Sequence, residues 1–163
     1  ITVNGRIVGE TAINALICGS MGGPVGMVAG ADDLCAEARA DLQDCGPVEL
    51  VCTKETLGFN LAACHGPRFT GPALRRAAAA ACRLAATGQL GPPPRPLVVE
   101  GTVTATLETP RREMADRMML ATPGLRRDGQ RRVLAEAGRA DEALSMLWRA
   151  VTEAFHEPQA WLR

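Results

Sequence analysis

The sequence predicts an α/β fold, in which a piece of a parallel-sheet core is followed by a small α+β lobe. Strand-like and helix-like segments alternate at short spacing through the first half of the 163 residues, as in parallel sheets with right-handed crossovers. Apolar residues make up 47% of the chain, enough to build a packed core. A stiff, proline-rich connector at 88–96 separates the halves. We therefore expect an α/β core over residues 1–91 and an α+β lobe over 92–163.

The strands and helices of the first half follow from apolar runs and turn residues. Residues 1–3 and 6–8 are predicted strands, joined by Asn4-Gly5, a typical two-residue hairpin turn. A helix follows Gly9 and stops at the Gly-Gly-Pro of 22–24. The apolar run 24–30 predicts a strand buried on both faces.

The next elements complete the predicted alternation. Two acids, Asp32 and Asp33, begin a second helix, and their charge suits the dipole of a helix N-terminus. Residues 48–52 form the following strand, and an alanine-rich helix is predicted over 73–86 after Gly71-Pro72.

The second half supplies the elements of the smaller lobe. Alternation of Val, Thr and Glu predicts a strand over 97–107, and a helix is expected over 111–120. A strand over 132–137 precedes a strongly amphipathic helix over 141–155. Its predicted apolar face comprises Leu144, Leu147, Trp148, Val151 and Phe155.

Composition excludes several classes of protein. The formal net charge is zero, which gives no electrostatic reason to expect nucleic acid or an anionic membrane as a partner. No apolar run approaches the ~20 residues that span a bilayer, and no signal peptide is recognisable. The six cysteines form no C-x-x-C pair, so we expect buried, reduced thiols and a cytoplasmic protein.

Glu10 and Asn14 are the first candidates for a functional site. They lie four residues apart at the start of the first predicted helix, so they share one face of its first turn. A carboxylate there can point toward a metal, and an amide behind it can orient a substrate carbonyl. Alternatively, Glu10 only stabilises the helix start and Asn14 is partly buried. The spacing leaves both interpretations open.

Polar residues also follow two of the predicted strands. Asp32 and Asp33 come after the strand 24–30, at the edge where α/β proteins gather ligand groups, although helix capping is the simpler role. Lys54, the only lysine, follows the strand 48–52 with Glu55 beside it. It is a candidate to bind a carboxylate or phosphate, or else a solvated loop residue.

The chain does not contain a complete catalytic site. His65 adjoins Cys64, but neighbours in sequence usually point apart, so the two do not predict a catalytic dyad. There is no Ser-His-Asp order and no G-x-S-x-G turn. Chemistry at Glu10 would need residues that this chain lacks.

The segment around Glu10 resembles the DppA-type D-aminopeptidases, a family of zinc peptidases. Its most specific feature is the Gly-Glu-x-x-x-Asn pattern of Gly9, Glu10 and Asn14, within residues 8–15. The resemblance covers essentially the whole chain, but only the C-terminal half or slightly more of a family member. Supporting matches are Pro24-Val25, Val28-Ala29-Gly30, Asp32, residues 34–38, Lys54-Glu55, Ala63-Cys64, Pro123-Gly124, Asp128-Gly129 and residues 140–143.

The resemblance implies a zinc peptidase that removes N-terminal D-residues from short peptides as a ring-shaped oligomer. Family members hold two zinc ions with acidic and histidine ligands. Most of these ligands come from the N-terminal half, and so does the catalytic histidine. Glu10 is the one family ligand that maps onto this chain, and Asn14 and Lys54 are placed on the substrate side. A single carboxylate cannot hold two zinc ions, so the chain alone should be inactive.

These implications lead to a specific expectation. The chain should be the C-terminal subunit or processed chain of a zinc-dependent aminopeptidase or amidase, acting on short peptides or amides. It should work only with an N-terminal chain of the same or a paired protein, and the assembled unit should form a homo-oligomer. No nucleic-acid or membrane partner is expected.

Two departures from the family pattern motivate an alternative. Ala31 precedes Asp32 where the family commonly has a second acid, and Gly58-Phe59 replace the usual Ser-Arg pair. The second departure leaves open whether D-residue specificity is kept. The alternative is a non-catalytic structural or assembly subunit of the same fold, and a third possibility is redirection of the chemistry to a biosynthetic peptide or amide.

Overall fold

The computed structural model describes residues 1–87 and 91–155, apart from the side chains of 87 and 155, as a mixed α/β structure. It contains two compact units. The first unit comprises residues 1–9 and those from 98 onward, and the second unit comprises residues 10–97. The described helices are α1 (Glu10–Ser20), α2 (Asp32–Asp41), α3 (Pro67–Thr87), α4 (Arg112–Ala121) and α5 (Ala140–Phe155). The described strands are β1 (Thr2–Val3), β2 (Arg6–Ile7), β3 (Met27–Ala31), β4 (Glu49–Gly58), β5 (Leu61–Cys64), β6 (Val103–Glu108), β7 (Arg126–Asp128) and β8 (Arg132–Ala137).

The first unit contains an antiparallel sheet in the order β2-β1-β6-β8-β7. Asn4 and Gly5 have φ values of 48° and 82°, as a tight hairpin turn between right-twisted strands requires. The Asn4 side chain accepts a hydrogen bond from the Thr104 amide (2.7 Å) and donates one to the Thr102 carbonyl (3.3 Å). The predicted hairpin is confirmed, but it joins this antiparallel sheet and not the parallel one.

Helices α4 and α5 pack against this antiparallel sheet and against each other. Alternate residues of β6 and β8 are buried, as expected of strands covered on one face. Of the predicted apolar face of α5, Leu144 and Leu147 are buried, Val151 is half-buried and Trp148 is 72% exposed, while the side chain of Phe155 lies outside the described structure. The residues of α5 that are buried are Ala140, Ala143, Leu144, Leu147, Ala150 and Ala154.

The second unit holds the parallel part of the fold. β3 and β4 pair in parallel, and β5 adds an antiparallel strand on the other side of β4. Helix α2 connects the two parallel strands, and α2 and α3 both contact them. The parallel arrangement is therefore limited to one pair of strands in the described residues. Its core comprises Ala15, Ala38, Leu42 and Cys45, with Val25, Val28, Val48, Leu50 and Leu97 packed against them.

The hairpin of β4 and β5 was not predicted. The strand expected to end at Cys52 continues to Gly58 and turns back as β5. Helix α3 also starts earlier than predicted, since the Gly66 carbonyl accepts hydrogen bonds from the amides of Phe69 and Thr70. Pro72, expected before the helix, lies inside it.

The described part of the predicted connector, from residue 91, packs within the second unit. Pro94 is buried, and Arg95 donates from its amide to the Cys45 carbonyl and from its guanidinium to the Asp44 carbonyl (2.9 Å). Residues 88–90 lie outside the described structure. The assignment of 1–91 to a peptidase core and 92–163 to a lobe stays a prediction.

The cysteines correct a further expectation. All six are free, but only Cys35 and Cys45 are buried, whereas Cys18, Cys52, Cys64 and Cys82 are exposed. Burial raises the pKa of both buried thiols, so they stay protonated and poorly nucleophilic. In the described part of the chain, no helix is both long and apolar enough to cross a membrane.

Candidate functional site

Helix α1 presents Glu10 and Asn14 on its exposed side. Glu10 is the first residue of the helix, where its negative charge suits the helix dipole. Both side chains are exposed, and within residues 1–87 and 91–155 neither has a hydrogen bond or ion pair. The alternative interpretation held that Asn14 is partly buried, and the structure contradicts this part of it. The buried residues of α1 are Ala12, Ala15, Leu16 and Gly19.

Gly19 sets the position of α1 within the second unit. A Cβ atom at this residue would lie 1.9 Å from the Leu97 carbonyl oxygen, so a larger side chain would force the helix away from the chain around residue 97. Leu97 in turn packs against the core that contains Ala15. Glu10 and Asn14 therefore project from a helix with a defined position and not from an irregular loop.

The sequence predicted that Lys54 follows a strand, but the residue lies within strand β4. It pairs with Ala31, the last residue of β3, on one side and with Cys64 of β5 on the other. Lys54 thus stands where the parallel pairing ends, at the sheet edge where α/β proteins gather ligand groups. Its side chain is exposed and forms no ion pair with another described residue.

Asp32 links the start of α2 to the β4–β5 hairpin. Its carboxylate accepts a hydrogen bond from the Thr56 amide at 2.8 Å. This hydrogen bond is the main reason that the pKa of Asp32 lies below the usual value for aspartate. Within the described structure, the Asp33 carboxylate accepts a bond only from the adjacent Leu34 amide, at 2.7 Å. Asp32 therefore holds two elements together at the same sheet edge as Lys54.

A carboxylate–imidazole pair on the hairpin was missed by the sequence analysis. His65 Nε2 lies 3.6 Å from Glu55 Oε1, and the His65 amide donates to the Thr53 carbonyl at 2.9 Å. Glu55 and His65 share one face of the hairpin, since side chains alternate along paired strands. The turn between Gly58 and Leu61 was the available signal, because a hairpin around it brings the two residues together.

The part of the chain that the structure describes does not assemble the donors of a zinc centre. Across the described residues, no three or more His, Cys, Asp and Glu side chains come together in a metal-binding group. A catalytic zinc takes three protein ligands and a structural zinc takes four. Glu10 has suitable chemistry, because it is an exposed carboxylate without a described partner, but it supplies one ligand. The residues of 1–87 and 91–155 therefore do not form a complete zinc site.

The side chains of the predicted site residues are not bonded to one another. No side-chain hydrogen bond or ion pair joins Glu10, Asn14 and Lys54 among the residues described. Glu10 and Asn14 share one helix, while Lys54 shares its sheet edge with Asp32. The roles of Glu10, Asn14 and Lys54 stay predictions.

Comparisons with known proteins point to one family. A family model described as D-aminopeptidase, peptidase M55, matches residues 1–149. Among solved structures, the chain is similar to the Zn-dependent D-aminopeptidase DppA from Bacillus subtilis, described as a self-compartmentalizing protease, with a TM-score of 0.81 and 25% identity. The match covers 97% of this chain and 54% of that one, so the chain spans about half the length of the solved protein. No curated protein matches.

Proposed function

Because this chain belongs to the M55 family of D-aminopeptidases, we propose that it is the C-terminal part of a zinc-dependent aminopeptidase or amidase. Its substrates would be short peptides or amides. Glu10 contributes one zinc ligand, and the remaining ligands come from a part of the enzyme outside these residues, on the same polypeptide or on a separate chain. The enzyme works only when both parts are present.

The observation that carries this proposal is the state of Glu10. It begins α1 inside the region matched by the family model, it is exposed, and it has no described partner. A positioned carboxylate left without a partner suits a ligand whose metal is completed by other residues.

We assign substrate contacts to Asn14 and Lys54. Asn14 lies one turn beyond Glu10 on the same side of α1, where its amide is suited to orient a substrate carbonyl. Lys54 carries a compact positive charge suited to the carboxylate of a short peptide. Our proposal does not include specificity for D-residues, because Gly58-Phe59 at the hairpin turn replace the family's Ser-Arg pair.

We further propose that the assembled enzyme forms a homo-oligomer, by analogy with the self-compartmentalizing neighbour. A cytoplasmic location agrees with six free cysteines, four of them exposed, because exposed thiols persist in reducing compartments.

The test compares Glu10→Gln with Glu142→Gln in the complete enzyme, which includes the part that carries the other ligands. Both acids are exposed and lie in the first turn of a helix, so the control reproduces the loss of a helix-start charge. We expect Glu10→Gln to weaken zinc binding more than about tenfold and to abolish hydrolysis of short D-peptides. Metal analysis and peptide hydrolysis measure the two effects. Unchanged zinc content and rate in Glu10→Gln would refute the proposal.

The second candidate is a structural or assembly subunit of the same fold. The absence of a three-donor cluster among the described residues favours it, as do Gly58 and Phe59 at the hairpin turn. An intact complex that binds no zinc and hydrolyses neither D-peptides nor amides would establish this alternative.

A further inference from the structure

A cavity of about 500 Å³ lies between helix α4 and the turn that joins β7 to β8. This volume is within the range of small-molecule sites, roughly 300–1,000 Å³. Every residue that lines the cavity belongs to the first unit. The wall formed by α4 comprises Arg112, Asp116, Met119 and Leu120, and the opposite wall is formed by β7 and the turn after it.

Arg127 of β7 holds the two walls together. Its Nη1 lies 2.9 Å from Asp116 Oδ1 on α4. In the turn, its Nε donates a hydrogen bond to the Gly129 carbonyl (2.9 Å), and its Nη2 donates to the Gln130 carbonyl. The Arg127 side chain is only 25% exposed. Because one guanidinium contacts both walls, the cavity is formed before a ligand binds, which lowers the cost of binding.

The wall formed by α4 has a charged end and an apolar end. Arg112 and Asp116 are followed by Met119 and Leu120 at the helical positions i, i+4, i+7 and i+8, which share one side of the helix. Leu120 is 87% exposed. At the rise of an α-helix, Met119 lies about 4.5 Å beyond Asp116 along the axis. A ligand in the cavity therefore meets charge first and apolar surface one side-chain length further on.

The charged end places one cation beside one anion. Arg112 Nε lies 3.6 Å from Asp116 Oδ2, and both side chains are more than half exposed. This distance exceeds that of a hydrogen bond, so a ligand can reach both groups. Asp116 pairs with Arg127 through Oδ1, whereas Oδ2 has lone pairs left for another donor. Two arginines and one aspartate line the cavity, so the charge of Arg112 is not fully balanced there.

An α-amino acid has the charges and the shape that these two ends require. Its carboxylate and ammonium are attached to one carbon atom, so they can reach a guanidinium and a carboxylate that lie 3.6 Å apart. A side chain of the size of leucine then extends toward Met119 and Leu120, where burial of apolar surface adds to the affinity. A simple anion or cation would use only half of the charged end.

We propose that this cavity binds a free α-amino acid with an apolar side chain. Arg112 binds the carboxylate, and Asp116 Oδ2 accepts from the ammonium. The inference goes beyond the proposed function, because the residues assigned there to zinc and substrate do not line the cavity. Exposed charge pairs contribute little individually, so we expect a dissociation constant on the order of 1 mM.

Isothermal titration calorimetry of the complete protein tests the proposal with leucine and two truncated compounds. 4-Methylpentanoate lacks the ammonium and 3-methylbutylamine lacks the carboxylate, and neither contains an amide bond that the enzyme could cleave. Leucine should bind to the wild type at least about threefold more tightly than either compound, because each of them loses one charged contact. Glycine should also bind more weakly than leucine, since it has no side chain to bury.

The variants assign this binding to the cavity. Arg112→Gln should weaken leucine binding at least about threefold and leave 3-methylbutylamine binding unchanged, so that the preference for leucine disappears. Arg111→Gln is the matched control, because Arg111 is an exposed neighbour that does not line the cavity, and it should keep the preference. Leu120→Ser should weaken the binding of leucine but not that of glycine. Circular dichroism establishes that each variant keeps the fold.

Three outcomes would overturn the site. They are the absence of saturable leucine binding up to about 20 mM, equal affinity of the wild type for leucine and 3-methylbutylamine, and leucine binding that Arg112→Gln does not weaken. Zinc content and peptide hydrolysis of the same preparations report separately on the proposed function. Loss of the leucine site leaves the proposed enzyme standing, whereas a zinc-free, inactive complex that still binds leucine through Arg112 would refute only the proposed enzyme.

Discussion

Asp32 has two roles in the second unit. It is the first residue of α2, and its carboxylate accepts the Thr56 amide hydrogen bond that ties α2 to the hairpin. That bond lowers the pKa of Asp32 in the folded protein. A lowered pKa stabilises the folded state at pH values above the unfolded pKa, and this contribution disappears as the pH falls through the folded pKa. The link between α2 and the hairpin is therefore sensitive to acid.

Asp32→Ala should lower the free energy of unfolding at neutral pH, because the Thr56 amide loses its acceptor. Asp33→Ala removes the same charge but only a bond to the adjacent Leu34 amide, so its effect should be smaller. Urea unfolding at about pH 7 and about pH 2.5 measures both, and the difference between wild type and Asp32→Ala should shrink in acid. Equal losses for the two variants at neutral pH would assign the effect to helix-start charge.

Individual site residues were predictable to different degrees. Glu10 and Asn14 follow from local sequence, because a helix start and a spacing of four residues fix their common side. The Glu55–His65 pair depends on the pairing of β4 with β5, for which the turn between Gly58 and Leu61 is the local signal. The proposed zinc ligands outside these residues cannot be inferred from this sequence.

At the scale of single elements, two buried threonines of the first unit differ in the hydrogen bonding of their hydroxyl groups. The Thr109 hydroxyl lies 2.7 Å from the Arg111 carbonyl and 2.8 Å from the Arg131 carbonyl, which share its single proton. The Thr122 hydroxyl is equally buried but has no partner among the described residues. A buried hydroxyl without a partner is destabilising compared with a methyl group of the same shape.

The same substitution should therefore have different effects at the two positions. Thr109→Val should destabilise the protein by about 1 kcal/mol, whereas Thr122→Val should be neutral or stabilising within about 0.5 kcal/mol. Chemical denaturation of both variants measures the difference. Similar losses at both sites would mean that the Thr122 hydroxyl is hydrogen-bonded in solution.

Helices and strands were predicted correctly where the spacing of their apolar residues matches the side that is buried. Helices α2, α4 and α5 and strand β8 have apolar residues at the spacing of their buried side. Strand β5 was missed because all four of its residues are exposed, so no alternation marks it. The pairing of the β1 hairpin with β6 was also missed, since Asn4 and Thr104 are 100 residues apart.

At the scale of the whole molecule, residues 1–163 alone should bind zinc only weakly. The described residues bring together no group of three metal donors, and tight sites need at least three protein ligands. Added zinc should therefore leave the thermal unfolding temperature unchanged. The measurement is best made after alkylation of the thiols, because four exposed cysteines offer adventitious sites. Tight binding of one zinc per alkylated chain would contradict this prediction.

The first unit consists of two stretches of chain separated by the entire second unit. This order matters during translation, because the β1–β2 hairpin leaves the ribosome long before β6, whose residue Thr104 lies 100 positions after Asn4. At about 5–20 residues per second, the delay is roughly 5–20 s. The second unit, whose strands lie closer together in sequence, can fold within that interval. Within these residues, the second unit is therefore expected to fold first and the two stretches of the first unit to pair last.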